Sequence, residues 1–214
     1  MFTGSFRHWT ARYVLDRLRV GIYQRANPDA PWLCRDAIKA LESWLKSTDE
    51  GLEWGSGRST LWFAARVAHL ITIEHDAEWA EIVRGKLRGC GLSDRVDLKV
   101  LQDGRDEKPD SRYVSVVQDI APNTLDFCLV DGVSRDHCAL ACLTKLKVGG
   151  VLVVDNANWY IPRDPKSRAP KSRGPKDGFS SPQWKEFGRI TGDWRCIWTT
   201  NGVWDTALWI KGGL

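Results

Sequence analysis

The 214-residue sequence lacks the features of a membrane protein or a disulfide-rich secreted protein. No apolar run approaches the roughly 20 residues that a membrane-spanning helix needs. Arginines interrupt the N-terminal segment in which a signal core would lie. The six cysteines form no CxxC pair and no small-scaffold spacing, which favours a reduced environment. We therefore expect a cytoplasmic protein without a membrane partner.

Net positive charge is confined to two segments of the chain. Of the net charge of +4, residues 1–30 carry +3 and residues 161–177 carry +4, which leaves −3 for the remainder. Residues 8–25 can form a basic amphipathic helix whose apolar stripe is Tyr13, Leu15, Leu18 and Ile22. We predict that residues 1–30 are a basic helical extension and that residues 31–214 are one α/β domain.

The central stretch of the sequence is GLEWGSGRST, residues 51–60. A short apolar approach leads through Glu53 into the turn Gly55-Ser56-Gly57, and a helical apolar run follows. Glycine is needed where the backbone takes a positive φ or must let a ligand approach closely. A helix that starts behind such a turn directs free N–H groups at the ligand. The pattern predicts a strand, a binding turn and a helix start.

Strand and helix patterns alternate after this turn. Strands are predicted at residues 51–54, 70–74, 96–101, 125–130 and 151–154, and helices at residues 58–68, 77–87 and 136–146, the last with Asp136 as N-cap. No element is assigned to residues 109–121. Asn201-Gly202, between two terminal strand patterns, is a strong hairpin signal. The alternation predicts a doubly wound α/β sheet that ends in an antiparallel pair.

Acidic residues lie at the carboxyl ends of the first four predicted strands: Glu53, Glu74, Asp103 and Asp131. The carboxyl ends of parallel strands lie at one edge of a sheet, where such sheets bind their ligands. Glu74 stands 21 residues after Glu53, near the spacing at which an acid bonds ribose hydroxyls in dinucleotide-like folds. A nicotinamide cofactor is disfavoured, because G-x-G-x-x-G would need glycine at Thr60. A cationic ligand with an amino-acid end would suit the acid and the turn better.

Several motifs resemble the class I S-adenosylmethionine-dependent methyltransferases: ExGSG at 53–57, IEHD at 73–76, VDG at 130–132, GGVLVVDN at 149–156 and the terminal hairpin. EWGSGRSTLWFA and TIEHDAEW especially resemble a group of small bacterial methyltransferase-like proteins whose substrates are mostly unassigned. The resemblance covers about residues 31–214. It implies a Rossmann-like sheet of seven strands in the order 3-2-1-4-5-7-6, with strand 7 antiparallel.

The resemblance also implies that S-adenosylmethionine binds at the turn and the strand-end acids. Glu53, Gly55 and Gly57 would hold its methionine part, and Glu74, with His75 beside it, would bind its ribose. The cofactor-binding residues implied in full are Glu53, Gly55, Ser56, Gly57, Ser59, Thr60, Glu74, His75, Asp103 and Asp131.

Among these residues, Asp103 would lie near the adenine, and Asp131 near the sulfonium and the acceptor. Ser59 departs from the family pattern, which often has a third glycine there. Methyl transfer is an in-line displacement, so positioning supplies much of the rate, and a general base helps if the acceptor is a hydroxyl. The candidate catalytic residues are Asp131, His137, Asp155 and Asn156.

A metal site is one possible use of three of these residues. Asp131 with Asp155-Asn156 resembles the Asp…Asp-Asn set that holds magnesium in catechol-type O-methyltransferases, and three oxygen ligands suit such a cation. The alternative is that Asp155-Asn156 only caps its strand. Since the surrounding sequence does not otherwise match that family, we assign no metal.

Residues 157–181 are predicted to be a mobile basic loop, because residues 162–177 hold four prolines and six cations and little to bury. It is a solvated linker, a lid over an anionic acceptor or a nucleic-acid contact. Against base methylation, strand four ends in VDG rather than in the Asn/Asp-Pro-Pro-aromatic signature. Trp159 is the candidate acceptor-binding residue, whereas Trp32 and Trp79 either flank the cofactor or pack in the core.

The sequence therefore predicts an S-adenosylmethionine-dependent methyltransferase that acts on an oxygen of a small polar or anionic metabolite. One alternative is an RNA or protein methyltransferase that docks its polymer through the basic segments. The other is a non-catalytic module that binds the cofactor.

Overall fold

The computed structural model describes residues 9–106, 108 and 110–213. Its strands are β1 Glu50–Trp54, β2 His69–Glu74, β3 Val96–Val100, β4 Leu125–Val130, β5 Leu146–Asp155, β6 Arg195–Thr200 and β7 Asp205–Ile210. They form one sheet in the order β3-β2-β1-β4-β5-β7-β6, in which β7 is antiparallel to β5 and β6. The predicted fold and strand order are confirmed.

The helices cover both faces of this sheet. Within the described residues they are α1 Ala11–Ala26, α2 Arg35–Trp44, α3 Arg58–Ala64, α4 Ala77–Gly89, α5 Arg112–Ser115, α6 Arg135–Cys142 and α7 Pro182–Ile190. Local chemistry explains where two of them begin. The Asp76 carboxylate accepts the Trp79 N–H at the start of α4, and the Ser181 hydroxyl accepts the Trp184 N–H at the start of α7.

Strand β4 shows why the central strands consist almost entirely of apolar residues. Phe127 and Leu129 pack on one face of the sheet, with residues of α2 and α3. Cys128 and Val130 pack on the other face, with residues of α5, α6 and α7. Successive strand residues point to opposite faces, so a strand that is covered on both sides needs an apolar residue at every position.

Helix α1 presents its predicted apolar stripe to solvent. Leu15, Leu18 and Ile22 are 52%, 58% and 65% exposed. The helix instead faces the protein with Asp16, which is buried. The predicted stripe therefore does not attach the helix to the core, and Tyr23 of the same helix packs against the core instead. Residues 1–8, which complete the predicted extension, lie outside the described residues, as does Leu214.

One local prediction is wrong. Helix α6 begins at Arg135 behind Ser134, whose φ is +48°, so Asp136 is not its N-cap. The Asp136 carboxylate instead accepts the His137 N–H and the Ser181 hydroxyl. The predicted terminal hairpin is confirmed: residues 201–204 join β6 to β7, and the Asn201 side-chain oxygen accepts the N–H groups of both Val203 and Trp204.

Residues 110–121, for which the sequence assigned no element, include α5 and a 3-10 turn at Val116–Asp119. No helix in the described ranges is both long enough and apolar enough to cross a membrane.

Candidate functional site at the carboxyl edge of the sheet

The turn after β1 touches the turn after β4. Gly55 has a φ of +91°, and a Cβ there would lie 2.9 Å from the Gly132 backbone nitrogen. A Cβ on Gly132 would lie 2.0 Å from the Tyr113 hydroxyl oxygen. Both glycines are thus required by close packing. The Gly55 N–H also donates to the Ile73 carbonyl at 2.8 Å, which ties the turn to β2.

Glu74, the last residue of β2, holds the glycine turn. Its Oε2 accepts the Ser56 N–H at 2.9 Å and the Ser56 hydroxyl at 2.7 Å. Its Oε1 accepts the N–H groups of His75 and Asp76 at 2.8 and 3.0 Å. His75 Nδ1 lies 2.9 Å from the same oxygen but lacks hydrogen-bond geometry. The hydroxyl of Ser56 is the one donor of these that rotates freely, so it can give its place to another hydroxyl.

Glu53 lies beneath the turn and is fully buried. Its Oε1 accepts the Thr72 hydroxyl at 2.9 Å, whereas Oε2 has no partner in the described part of the chain. Burial raises the pKa of Glu53 to about 7, against the opposing effect of hydroxyls on Thr60, Ser59 and Thr72. A buried carboxylate oxygen without a partner is uncommon in folded proteins and needs an explanation.

The start of α3 closes the turn from the other side. The Gly57 N–H donates to the Thr60 hydroxyl at 2.9 Å. Ser59 and Thr60, which were predicted to bind the cofactor, are both buried and support the turn from below. The half-buried Gly55, Ser56 and Gly57 face outward.

Asp103 is placed near Tyr113 and caps α5. One carboxylate oxygen accepts the Tyr113 N–H at 3.0 Å, and the other accepts the Arg112 N–H. Tyr113 in turn reaches Val133 behind β4 with its hydroxyl, which accepts that residue's N–H at 3.3 Å. This cap accounts for the conformation of Asp103 without a ligand, and its predicted contact with adenine stays a prediction.

Arg135 is the residue that sequence reasoning missed. Its guanidinium joins the ends of β4 and β5: it lies 2.8 Å from the Asp131 carboxylate and donates to the carbonyls of Asp131, Gly132 and Asp155 at 2.8, 2.9 and 2.6 Å. It also donates to the Asn156 side-chain oxygen at 3.1 Å. The available signal was an arginine four residues after the strand-end acid Asp131.

The three residues considered for magnesium do not fit a metal. The Arg135 guanidinium already bonds to the Asp131 carboxylate and the Asn156 side-chain oxygen, and this cation would repel a second one. The Asp155 carboxylate lies elsewhere: it is buried and accepts the Thr206 hydroxyl. Burial, and then the charge of Asp131, raise the pKa of Asp155 well above its usual range. Asp155 therefore links β5 to β7.

Aromatic side chains lie beyond the end of β5, beside the start of α6. Trp159 is half-buried, and the ammonium of Lys171 lies 4.6 Å from its ring centroid. Tyr160 stacks on Trp184 at 5.3 Å, and burial raises the pKa of Tyr160 while the nearby Arg135 opposes this. His137 is half-buried in the first turn of α6.

Two exposed tryptophans flank the glycine turn. The Trp79 indole N–H donates to the Ser56 carbonyl at 2.8 Å. The Arg58 guanidinium lies 5.5 Å from the Trp32 ring centroid. With exposures of 41% and 60%, Trp79 and Trp32 do not pack in the core.

The basic loop folds back on the protein. Asn158 donates to the Pro170 carbonyl and the Ser172 hydroxyl at 3.0 and 3.1 Å, which fixes the loop beside the end of β5. Most of its cations have partners within the chain: Lys166 on Asp177, Arg168 on Asp16, Lys171 on Trp159, Arg173 on three carbonyls and Arg163 over Trp198. The mobility of this loop stays a prediction.

No protein-family model matches the chain, and no curated protein matches its sequence. Solved structures match its fold. The O-methyltransferase TomG from Streptomyces achromogenes, solved in complex with SAM, is 20% identical, with 92% of this chain and 90% of that chain covered and a TM-score of 0.58. A methyltransferase from Geobacter sulfurreducens is 15% identical, with 92% and 89% covered and a TM-score of 0.56.

The same fold carries other reactions. Precorrin 8w decarboxylase from Methanobacterium thermoautotrophicum is 20% identical, with 87% of this chain and 95% of that chain covered and a TM-score of 0.53. The chain thus has the fold of the class I methyltransferases. At such identities the likeness concerns the fold, and the site residues must carry the functional argument.

Proposed function

We propose that the chain is an S-adenosylmethionine-dependent methyltransferase. The observation that carries the proposal is the contact between Glu74 and the glycine turn: Ser56 donates its N–H and its hydroxyl to this carboxylate at 2.9 and 2.7 Å. An acid at the end of β2 beside such a turn is the arrangement that binds a ribose in nucleotide-binding α/β sheets.

The residues present fit this cofactor. The ribose hydroxyls would replace the Ser56 hydroxyl on Glu74, while three backbone N–H donors hold the carboxylate in place. The methionine end would lie on the turn, above the unpaired Oε2 of the buried Glu53, whose negative charge favours a nearby ammonium. When bound, S-adenosylmethionine supplies a methyl group that its sulfonium makes electrophilic.

The acceptor side supports a small anionic metabolite and transfer to oxygen. Asp131 keeps its side chain 29% exposed while Arg135 holds it at 2.8 Å, so it can accept a proton from an acceptor hydroxyl. The cation of Lys171 lies against Trp159, where it would attract an anionic acceptor. His137 stays a second candidate base, whereas Asp155 and Asn156 position Arg135 and β7 rather than act on the acceptor.

The observations do not favour an RNA acceptor. Polymer binding needs several cations free to neutralise phosphates. In the described residues of the basic loop, Lys166 and Arg168 already pair with carboxylates, and Arg173 donates to three carbonyls. A measured affinity for RNA that falls steeply with salt would contradict this interpretation.

The Glu74→Gln variant tests the proposal. Glutamine keeps the size of the side chain but loses the charge and one acceptor, so we expect its affinity for S-adenosylmethionine to fall about tenfold or more. Isothermal titration calorimetry measures the dissociation constant, and thermal melting of the free protein reports whether the turn still folds.

Ser56→Ala is the matched control for this experiment. It removes the hydroxyl that competes for Glu74 and keeps the backbone N–H, so affinity should be unchanged or higher. If Ser56→Ala weakens binding as much as Glu74→Gln does, Glu74 serves only to shape the turn. Cofactor binding without methyl transfer to a panel of small anionic hydroxyl compounds would indicate the non-catalytic module.

A further inference from the structure

A cavity of about 340 Å³ lies away from the glycine turn, between α1, the start of α2, the β6–β7 turn and the basic loop. None of the glycine-turn residues or strand-end acids lines it. Pro31 and Leu33 form part of its wall, whereas Trp32 between them contacts Arg58 behind the glycine turn. Residues 31–33 thus separate this cavity from the proposed cofactor site.

One buried carboxylate organises two of its cations. The Asp16 side chain, only 5% exposed, lies 3.4 Å from the Arg19 guanidinium and 3.5 Å from that of Arg168. Gly202 seals it from the other side, since a Cβ there would lie 2.2 Å from an Asp16 oxygen. All three charged groups line the cavity. Two guanidinium groups that share one carboxylate leave an excess of positive charge.

Arg35 adds a third cation to this cavity. Its guanidinium lies 5.5 Å from the Tyr23 ring centroid, and no ion pair joins it to any acid in the described part of the chain. Arg35 is the first residue of α2, where the helix dipole disfavours a positive charge. Its position therefore does not serve the helix. The one further acid in the wall, Asp36, lies 3.9 Å from Lys39.

One residue of the cavity wall, Trp204, has a buried donor without an acceptor in the described chain. Trp204 lines the cavity, and its indole nitrogen is buried with no hydrogen-bond partner among the described residues. Leaving such a donor unpaired costs free energy, which an acceptor on a ligand would recover. Tyr23 and Trp204 also give the wall two aromatic rings, against which a planar group can pack.

We propose that this cavity binds a small aromatic anion, a planar ring that carries a carboxylate or a phosphate. The anionic group bonds to Arg35, which presents several donors in one plane, and to the Trp204 indole N–H. The ring packs against Tyr23 and Trp204. The site does not depend on the proposed methyl transfer, because it shares none of the residues assigned to the cofactor.

Nuclear magnetic resonance of the ¹⁵N-labelled protein tests this site. The indole N–H signals are titrated with benzoate, phenyl phosphate and the neutral benzamide, and Trp204→Phe identifies the signal of Trp204. We expect benzoate, phenyl phosphate or both to shift that signal in proportion to occupancy, and benzamide to leave it in place. The two anions distinguish a carboxylate ligand from a phosphate ligand.

The Arg35→Met variant removes the free cation and keeps the length of the side chain. The affinity for the active anion should fall about tenfold or more, while Arg17→Met, on the outer face of α1, should leave it unchanged. Arg35→Lys should restore part of the affinity, and cofactor affinity should stay at the wild-type value in all three variants. The proposal is overturned if neither anion shifts the Trp204 signal, if benzamide shifts it equally, or if Arg35→Met binds as well as wild type.

Discussion

Replacing Arg135 with methionine is expected to lower the free energy of unfolding by about 3 kcal/mol. The Arg135 side chain is 15% exposed, and its guanidinium bonds to the Asp131 carboxylate, three carbonyls and the Asn156 side chain. Methionine fills a similar volume but supplies no donor, so the largely buried oxygens at the ends of β4 and β5 lose their partner. Urea unfolding at neutral pH measures the loss.

Arg189→Met is the matched control for this change. Arg189 also pairs with an acid on the same chain segment, Glu186, at 2.7 Å, but both side chains are exposed to water. Exposed ion pairs contribute little, so the control should unfold like wild type. Equal losses for both variants would contradict the role given to Arg135. Addition of magnesium should not restore stability to Arg135→Met, since we infer a structural cation there rather than a metal site.

Replacing Glu53 with glutamine is expected to stabilise the ligand-free protein at pH 8 by as much as about 3 kcal/mol. Burial raises the pKa of Glu53 to about 7 from an ordinary value of 4.5. The folded state therefore holds the proton more tightly than the unfolded state does. The stability that protonated Glu53 contributes to the wild-type protein is complete below pH 4.5 and is lost as the pH rises to 7. Glutamine stays neutral over this whole pH range.

The difference in the free energy of unfolding between Glu53→Gln and wild type should consequently be small at pH 4 and should increase between pH 4.5 and 7. Glu78→Gln, on the exposed surface of α4, serves as the control and should change stability little at either pH. A difference that does not depend on pH would contradict the burial of a titrating Glu53. If the proposed function holds, Glu53→Gln should also weaken the binding of S-adenosylmethionine, because the charge beneath the turn is lost.

The topology could be predicted from the sequence because its signals are local and periodic. Strand β4 is apolar at every position except Asp126, which indicates a strand that is buried on both faces, and the glycine turn marks the first strand-to-helix junction. The acids at the strand ends then share an edge by geometry alone. The contact between Glu74 and Ser56 follows from this shared edge.

The features that could not be predicted depend on contacts between distant elements. The orientation of α1 is set by Asp16, whose partner Arg168 is 152 residues away in the sequence. The helix therefore faces the protein with Asp16 and Tyr23 and leaves Leu18 exposed. In the same way, the role of Arg135 could not be predicted, because its partners at the end of β5 are brought near only by the parallel pairing of β4 and β5.

The crystal structure of the protein with bound S-adenosylhomocysteine tests the central claim most directly. The account predicts the ribose hydroxyls within hydrogen-bonding distance of the Glu74 carboxylate, the amino-acid end on Gly55-Ser56-Gly57, and the Ser56 hydroxyl turned away from Glu74. A nucleoside bound elsewhere, or a ribose that does not touch Glu74 while Ser56 keeps its hydrogen bond, would contradict it.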